Sequence, residues 1–209
     1  MIRKCPLWLP PIFLLIPVIA SAELIAPDEL VKNVTNEVLV ILREDKRIQS
    51  GNQQRAVMLI EQKVAPHFDF PHMTRLAVGH AWRQADEEQR KALSGEFRTL
   101  LVRTYANTLT SYRDQTVSFK PSPKPAAGDE VTVRCQINKP GAPPIPLDYS
   151  LARSEGDWKV FDVAVSGVSL VTNYRSSFAS EVYKGGIAGL LKSLQEKNRR
   201  REAAPLPAA

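Results

Sequence analysis

The chain has 209 residues, enough for one domain of ordinary size, and 44% of them are hydrophobic, enough to bury a core. Its 28 Lys and Arg against 22 Asp and Glu give a formal charge of +6, mildly basic and compatible with anionic surfaces without specifying one. Two cysteines and three histidines leave little material for a disulfide framework or a metal cluster.

Residues 1–22 read as a secretory leader: Arg3 and Lys4 form a basic start, residues 7–19 are apolar, and Ala20-Ser21-Ala22 is a cleavage site of the A-x-A kind. Pro6, Pro10, Pro11 and Pro17 interrupt that run, so it is expected to be cleaved, not to span a membrane. Cys5 leaves with it, and the lone Cys135 of the exported domain cannot form an internal disulfide.

Asp28, after Pro27, is expected to cap a first helix with Val31, Val34, Val38, Ile41 and Leu42 on one face, ending at Ser50-Gly51-Asn52. A second helix starts near Gln53 and stops before Pro66. Residues 66–82 suggest a turn and a short helix closed at Gly79. Asp86 with Gln89 forms a capping box for a long helix bearing Leu93, Phe97, Leu100, Leu101, Tyr105, Leu109 and Tyr112. From Gln115 the period changes from helical to alternating. Strands are expected at 116–120, around Val131, Val133, Cys135 and Ile137, around Ile145, Leu147, Tyr149 and Leu151, and at 157–165. A proline-rich connection spans 121–129, and residues 154–157 make a hairpin turn. Gly167 supplies a turn into a helix capped by Ser169; that helix runs to about 183, and a second helix follows Gly185-Gly186 from 187 to 196. Residues 198–209 are basic, then rich in Ala and Pro, and are expected to be disordered. Helices, then antiparallel strands, then helices describe an α+β domain over 23–197.

Catalytic patterns are sparse. His67, His72 and His80 lack metal-ligand spacing, and the serines around Gly167 do not form a G-x-S-x-G turn. Cys135 alternates with apolar residues, which favours burial over reactivity. Asp69 and Asp162 sit among apolar residues, where a carboxylate serves either as a helix cap or paired charge or as a catalytic acid. The cations Lys192, Lys197, Arg199, Arg200 and Arg201 lack interleaved aromatics, so nucleic acid is not expected as a partner; transient contact with a membrane surface is the sharper option.

Two segments add a resemblance. Trp158, Val160, Phe161, Asp162, Val163, Val165, Gly167, Val168, Ser169, Leu170, Val171, Asn173, Tyr174, Arg175 and Phe178 closely resemble the signature of the MlaC family, the toluene-tolerance auxiliary proteins. Pro66, Asp69, Phe70, Met73, Thr74, Arg75, Leu76, Gly79 and Trp82, followed by Phe97, Leu101 and Tyr105, are similar to that family's helical half. Ser166 departs from the pattern, which usually carries Glu there, so no carboxylate role is carried over to that position. The resemblance implies a periplasmic phospholipid carrier that helps maintain outer-membrane lipid asymmetry. It would exchange lipid with an inner-membrane ABC transporter through an MlaD-type ring and with an outer-membrane MlaA-type lipoprotein. It also implies a curved sheet of about four strands packed by helices, cystatin-like or nuclear-transport-factor-like, with a helical subdomain and an apolar cavity. Phospholipid would be cargo, with no cofactor, metal or catalytic residue. By strand parity and helix phase, the expected lining is Val131, Val133, Leu147, Tyr149, Val163 and Val165 from the sheet, with Leu101, Tyr105, Val168, Val171 and Tyr174 from helices. Arg113, Arg134 and Arg175 are candidates for phosphate contact. The alternatives are an enzyme acting on an amphipathic substrate through Asp69 or Asp162, and a non-catalytic protein-interaction module using the basic tail.

Overall fold

A computed structural model describes residues 25–121, 129–154 and 156–203. The expected leader, most of the proline-rich connection and residues 204–209 of the expected tail lie outside the described residues.

Helix α1 (Pro27–Glu44) starts two residues earlier than expected: Pro27 occupies its first turn, Ala26 is the cap residue in place of Asp28, and no side chain caps it. Proline lacks the N–H that would otherwise be orphaned there and already holds a helical φ. Asp28 and Glu29 instead sit in the first turn, where their charge suits the helix dipole. The break comes at Asp45, before the expected Ser50, because that carboxylate accepts from the backbone N–H of Arg47 (3.0 Å) and from Arg55 Nε (2.6 Å). A single turn, α2 (Lys46–Gln49), follows, and Asn52 caps α3 (Gln53–Leu59). The helical path continues through a π turn at Ile60–Val64 and a 3-10 turn at Ala65–His67, where Pro66 cannot extend the ladder. Asp69 caps α4 (Phe70–Val78), accepting from the His72 N–H at 2.9 Å. The Asp86–Gln89 capping box opens α5 (Glu87–Thr110), as expected.

The sheet is an antiparallel meander in the order β1 (Thr116–Phe119), β2 (Glu130–Asn138), β3 (Ile145–Ser154), β4 (Asp157–Val165), β5 (Val168–Ser169). The fifth strand arises because Ser166 (φ +51°) and Gly167 (φ +81°) both take left-handed backbone, the requirement of a tight two-residue hairpin. The chain therefore doubles back, pairing Val165 with Val168, before α6 (Leu170–Ala203) begins. Gly185 and Gly186 break α6 where a helix boundary was expected; Gly186 (φ +64°, ψ −163°) holds a conformation closed to other residues.

Order does not stop at 197. Helix α6 runs on to Ala203 because Asn198 is buried against α5. Its amide donates to Glu96 O (2.9 Å) and Oε2 (2.7 Å), and Arg103 donates to its carbonyl (2.8 Å). Local composition reads as a solvated tail there, and these tertiary bonds override it.

Three apolar clusters hold the fold. Met73 and Ala77 of α4, Leu93, Phe97 and Leu101 of α5, and Val171, Phe178, Leu190 and Leu194 of α6 form the helical core, with Phe97 edge-on to Phe178 at 5.1 Å. Leu42, Ala56, Leu59, Val102 and Ala106 join α1, α3 and α5. Val31 of α1 covers Val133, Leu151, Trp158, Val160 and Val163 of the sheet.

Candidate functional site

Strand register sorts the sheet into cross-strand rows, because directly opposed residues project from the same face. On the apolar face the innermost row is Val131, Leu151 and Val160, and the next is Val133, Tyr149 and Val163. Then come Phe119, Cys135, Leu147, Val165 and Val168, and last Val117, Ile137 and Ile145. The opposite face carries Thr132, Arg134, Gln136, Asp148, Ser150 and Asp162. One bulge makes this possible. Leu151 pairs with Val160 but Ser150 pairs with Asp162, so Phe161 is an extra residue. In unbroken alternation through Phe161, Val160 and Val163 would point to opposite faces.

Cover thins along these rows. Leu151, Val160, Val133 and Val163 are buried beneath Val31 and Phe68. Phe119, Leu147, Val165, Val117 and Ile137 are only partly buried, Ile145 is 42% exposed and Val168 is 58% exposed. The sheet thus presents an apolar floor, closed at one end and open at the other.

The eleven expected lining residues fall into two groups and an outlier. Val131, Val133, Leu147, Tyr149, Val163 and Val165 share the sheet cluster; Leu101, Tyr105, Val171 and Tyr174 belong to the helical core. Phe68 packs against both groups and joins them. Val168 stands at the open rim, on the edge strand instead of the helix assumed in its choice. Phe68, Phe119, Ile137, Ile145 and Leu170 went unnamed as site residues. The parity of β1 to β3 points to Phe119, Ile137 and Ile145; for Phe68, which reaches the sheet through a backbone bond from Asp69 N–H to Val160 O (2.9 Å), sequence holds no such signal.

Tyr149 is the polar exception on the floor besides Cys135. Burial pushes its phenol well above the usual range, with Cys135 adding to the shift. The side chain nonetheless keeps accessible surface, and no described residue hydrogen-bonds its hydroxyl. Tyr149 is thus desolvated without being fully covered. Tyr105 is partly buried too, and burial also raises its phenol. Burial pushes the Cys135 thiol up to about 11.

Both candidate carboxylates are engaged structurally. Asp162 accepts from Ser169 Oγ (2.5 Å), from Val171 N–H (3.1 Å) and from Val163 N–H (2.9 Å), while Ser169 Oγ accepts from Thr172 N–H (3.0 Å) as the cap of α6. Asp69 caps α4. His72 stacks on Phe161 with ring centroids 4.5 Å apart, and burial holds His67 and His72 below the ordinary histidine value. Arg175 donates to Leu76 O (2.9 and 3.1 Å), Arg113 to Thr110 O and Tyr112 O, and Arg134 lies opposite Asp148 on the far face. None of the three is aimed from the apolar floor. A cleft of about 480 Å³ lined by Ile41, Glu44, Asp45, Lys46, Arg47 and Arg55 is charged and shares no residue with that floor. Among the described residues no three His, Cys, Asp or Glu side chains gather to hold a metal, and no helix is long and apolar enough to cross a membrane.

Residues 32–196 match the family described as "MlaC protein". Toluene tolerance protein Ttg2D of Pseudomonas putida is 25% identical over 162 residues, covering 77% of this chain and 74% of that protein. The intermembrane phospholipid transport system binding protein MlaC of Haemophilus influenzae is 23% identical over 156 residues, covering 73% and 72%. A solved phospholipid-binding protein from Ralstonia solanacearum, in complex with a phospholipid, superposes with a TM-score of 0.77 at 37% identity, covering 83% of this chain and 97% of that one.

Proposed function

The chain belongs to the MlaC family, and on that premise we propose that it binds phospholipid by its acyl chains and carries it through the periplasm. The observation that carries this reading is the apolar floor of the sheet, half covered and open at one end, in a fold whose Ralstonia relative is in complex with a phospholipid.

Acyl chains lie along Leu147, Val165, Phe119 and Tyr149, and the head group stays at the open rim, since burying an unpaired phosphate is prohibitive. About 30 methylenes at ~0.8 kcal/mol each are worth roughly 24 kcal/mol relative to water. A bilayer offers a comparable sum, so the carrier has only to match the membrane to within a few kcal/mol. Partners then tip the exchange. Those implied by the family likeness are an MlaD-type ring of an inner-membrane ABC transporter and an MlaA-type outer-membrane lipoprotein, with outer-membrane lipid asymmetry as the outcome. Carriage needs no chemical step. Asp69 and Asp162, the carboxylates an enzyme would use, already serve as caps.

Purification from membrane-containing cells followed by native mass spectrometry tests the reading. The expected result is a mass increment that extraction identifies as phospholipid; protein that stays lipid-free after incubation with phospholipid vesicles would overturn it.

A further inference from the structure

Resting on the carrier reading, we infer that Tyr149 is a positioning residue for the cargo, its hydroxyl donating a hydrogen bond to an acyl ester carbonyl of the bound lipid. Tyr149 stands in the row between Val133 and Val163, with Leu147 and Val165 beyond it toward the rim. Every neighbour in these rows except Cys135 is hydrocarbon. A buried thiol is a weak hydrogen-bonding group, and that of Cys135 stays protonated. The hydroxyl thus has accessible space before it and no described partner.

Once cargo displaces water from that space, a phenol so placed in an apolar lining is satisfied only by an acceptor that the cargo brings. Below its phosphate and glycerol, a diacyl lipid carries one kind of acceptor, the oxygens of its two esters. An ether-linked chain of equal length presents the same hydrocarbon and lacks the carbonyl. Tyr149 therefore registers the glycerol end of the lipid along the floor and favours ester over ether linkage, a preference that valine or phenylalanine at this position would not supply. A purely structural tyrosine would leave that choice unaffected.

The test offers the full chain vesicles containing equimolar dioleoyl phosphatidylglycerol and its di-O-oleyl ether analogue, and counts both species bound by native mass spectrometry. Wild type is expected to hold the ester lipid about five-fold over the ether, the size of one modest hydrogen bond. Tyr149→Phe should bring the ratio near one, and Tyr183→Phe, a change at a side chain 93% exposed on α6, should leave it as in wild type. A wild-type ratio near one overturns the inference whatever the variant does, and so does a Tyr149→Phe protein that keeps the preference; in both cases the carrier reading stands. Wild type that takes up neither lipid overturns the carrier reading and this inference together.

Discussion

Replacing Asp162 with alanine separates a structural carboxylate from a catalytic one. Its carboxylate joins β4 to the first turn of α6 through Ser169 Oγ at 2.5 Å and Val171 N–H at 3.1 Å. At the low end of roughly 1.5 kcal/mol for a hydrogen bond to a charged acceptor, these two bonds come to about 3 kcal/mol. Ser169→Ala removes one of them together with the cap bond to Thr172, and should cost about 2.5 kcal/mol. Because the two side chains share a bond, the double variant should lose about 1.5 kcal/mol less than the sum. Urea unfolding followed by circular dichroism measures all three. Lipid occupancy of the folded Asp162→Ala protein should match wild type. A loss under about 0.5 kcal/mol, or strict additivity, would refute the capping role; occupancy lost without a loss of stability would place Asp162 in the binding chemistry.

On the apolar floor, Val165→Glu should lower lipid occupancy at least several-fold in native mass spectrometry, whereas Val168→Glu, at a position already 58% exposed, should have the smaller effect. Asp45 titrates below its ordinary value of 3.8, chiefly because Arg55 holds the charged form. The unfolded chain therefore takes up that proton first, and the stabilisation is complete well above pH 4 and lost as pH falls through and below 3.8. Asp45→Asn should flatten the acid limb of a pH series of urea midpoints. Cys135, 1% exposed and with its thiol raised to about 11, should react with iodoacetamide at pH 8 at least 100-fold more slowly in the native state than in urea.

Helical spacing and capping chemistry made α3, α4, α5 and the Gly185-Gly186 break legible from sequence, because those signals are local. Asp86 with Gln89 is the clearest case, since both partners of the motif lie within one turn. Alternation likewise identified the apolar faces of β2 and β3, and the six residues expected from the sheet share one side of it. What was not legible depends on partners distant in the chain. Asn198 reads as the start of a disordered tail until Glu96 and Arg103 are brought beside it. Val168 reads as helical until the double left-handed turn folds it back on Val165. The lining residues on α5 and α6 were chosen by helix phase, which marks a buried stripe without telling a packed core from the wall of a crevice; Leu101 and Val171 prove to be core.

Phe161 carries a consequence for how this sequence tolerates change in length. Ahead of it Trp158 and Val160 serve the floor; after it Val163 and Val165 do so, while Phe161 itself meets the helical core and His72. Losing Phe161 alone would set Asp162 next to Val160 and restore strict alternation, with Val163 and Val165 still on the floor, Asp162 still on the far face, and only the aromatic contact to the helical core and His72 given up. Between Val160 and Val163 a single insertion or deletion therefore keeps the floor by trading the bulge for strict alternation, whereas a change of two residues keeps the odd spacing and with it the need for a bulge, a parity constraint that substitutions of side chains alone do not meet.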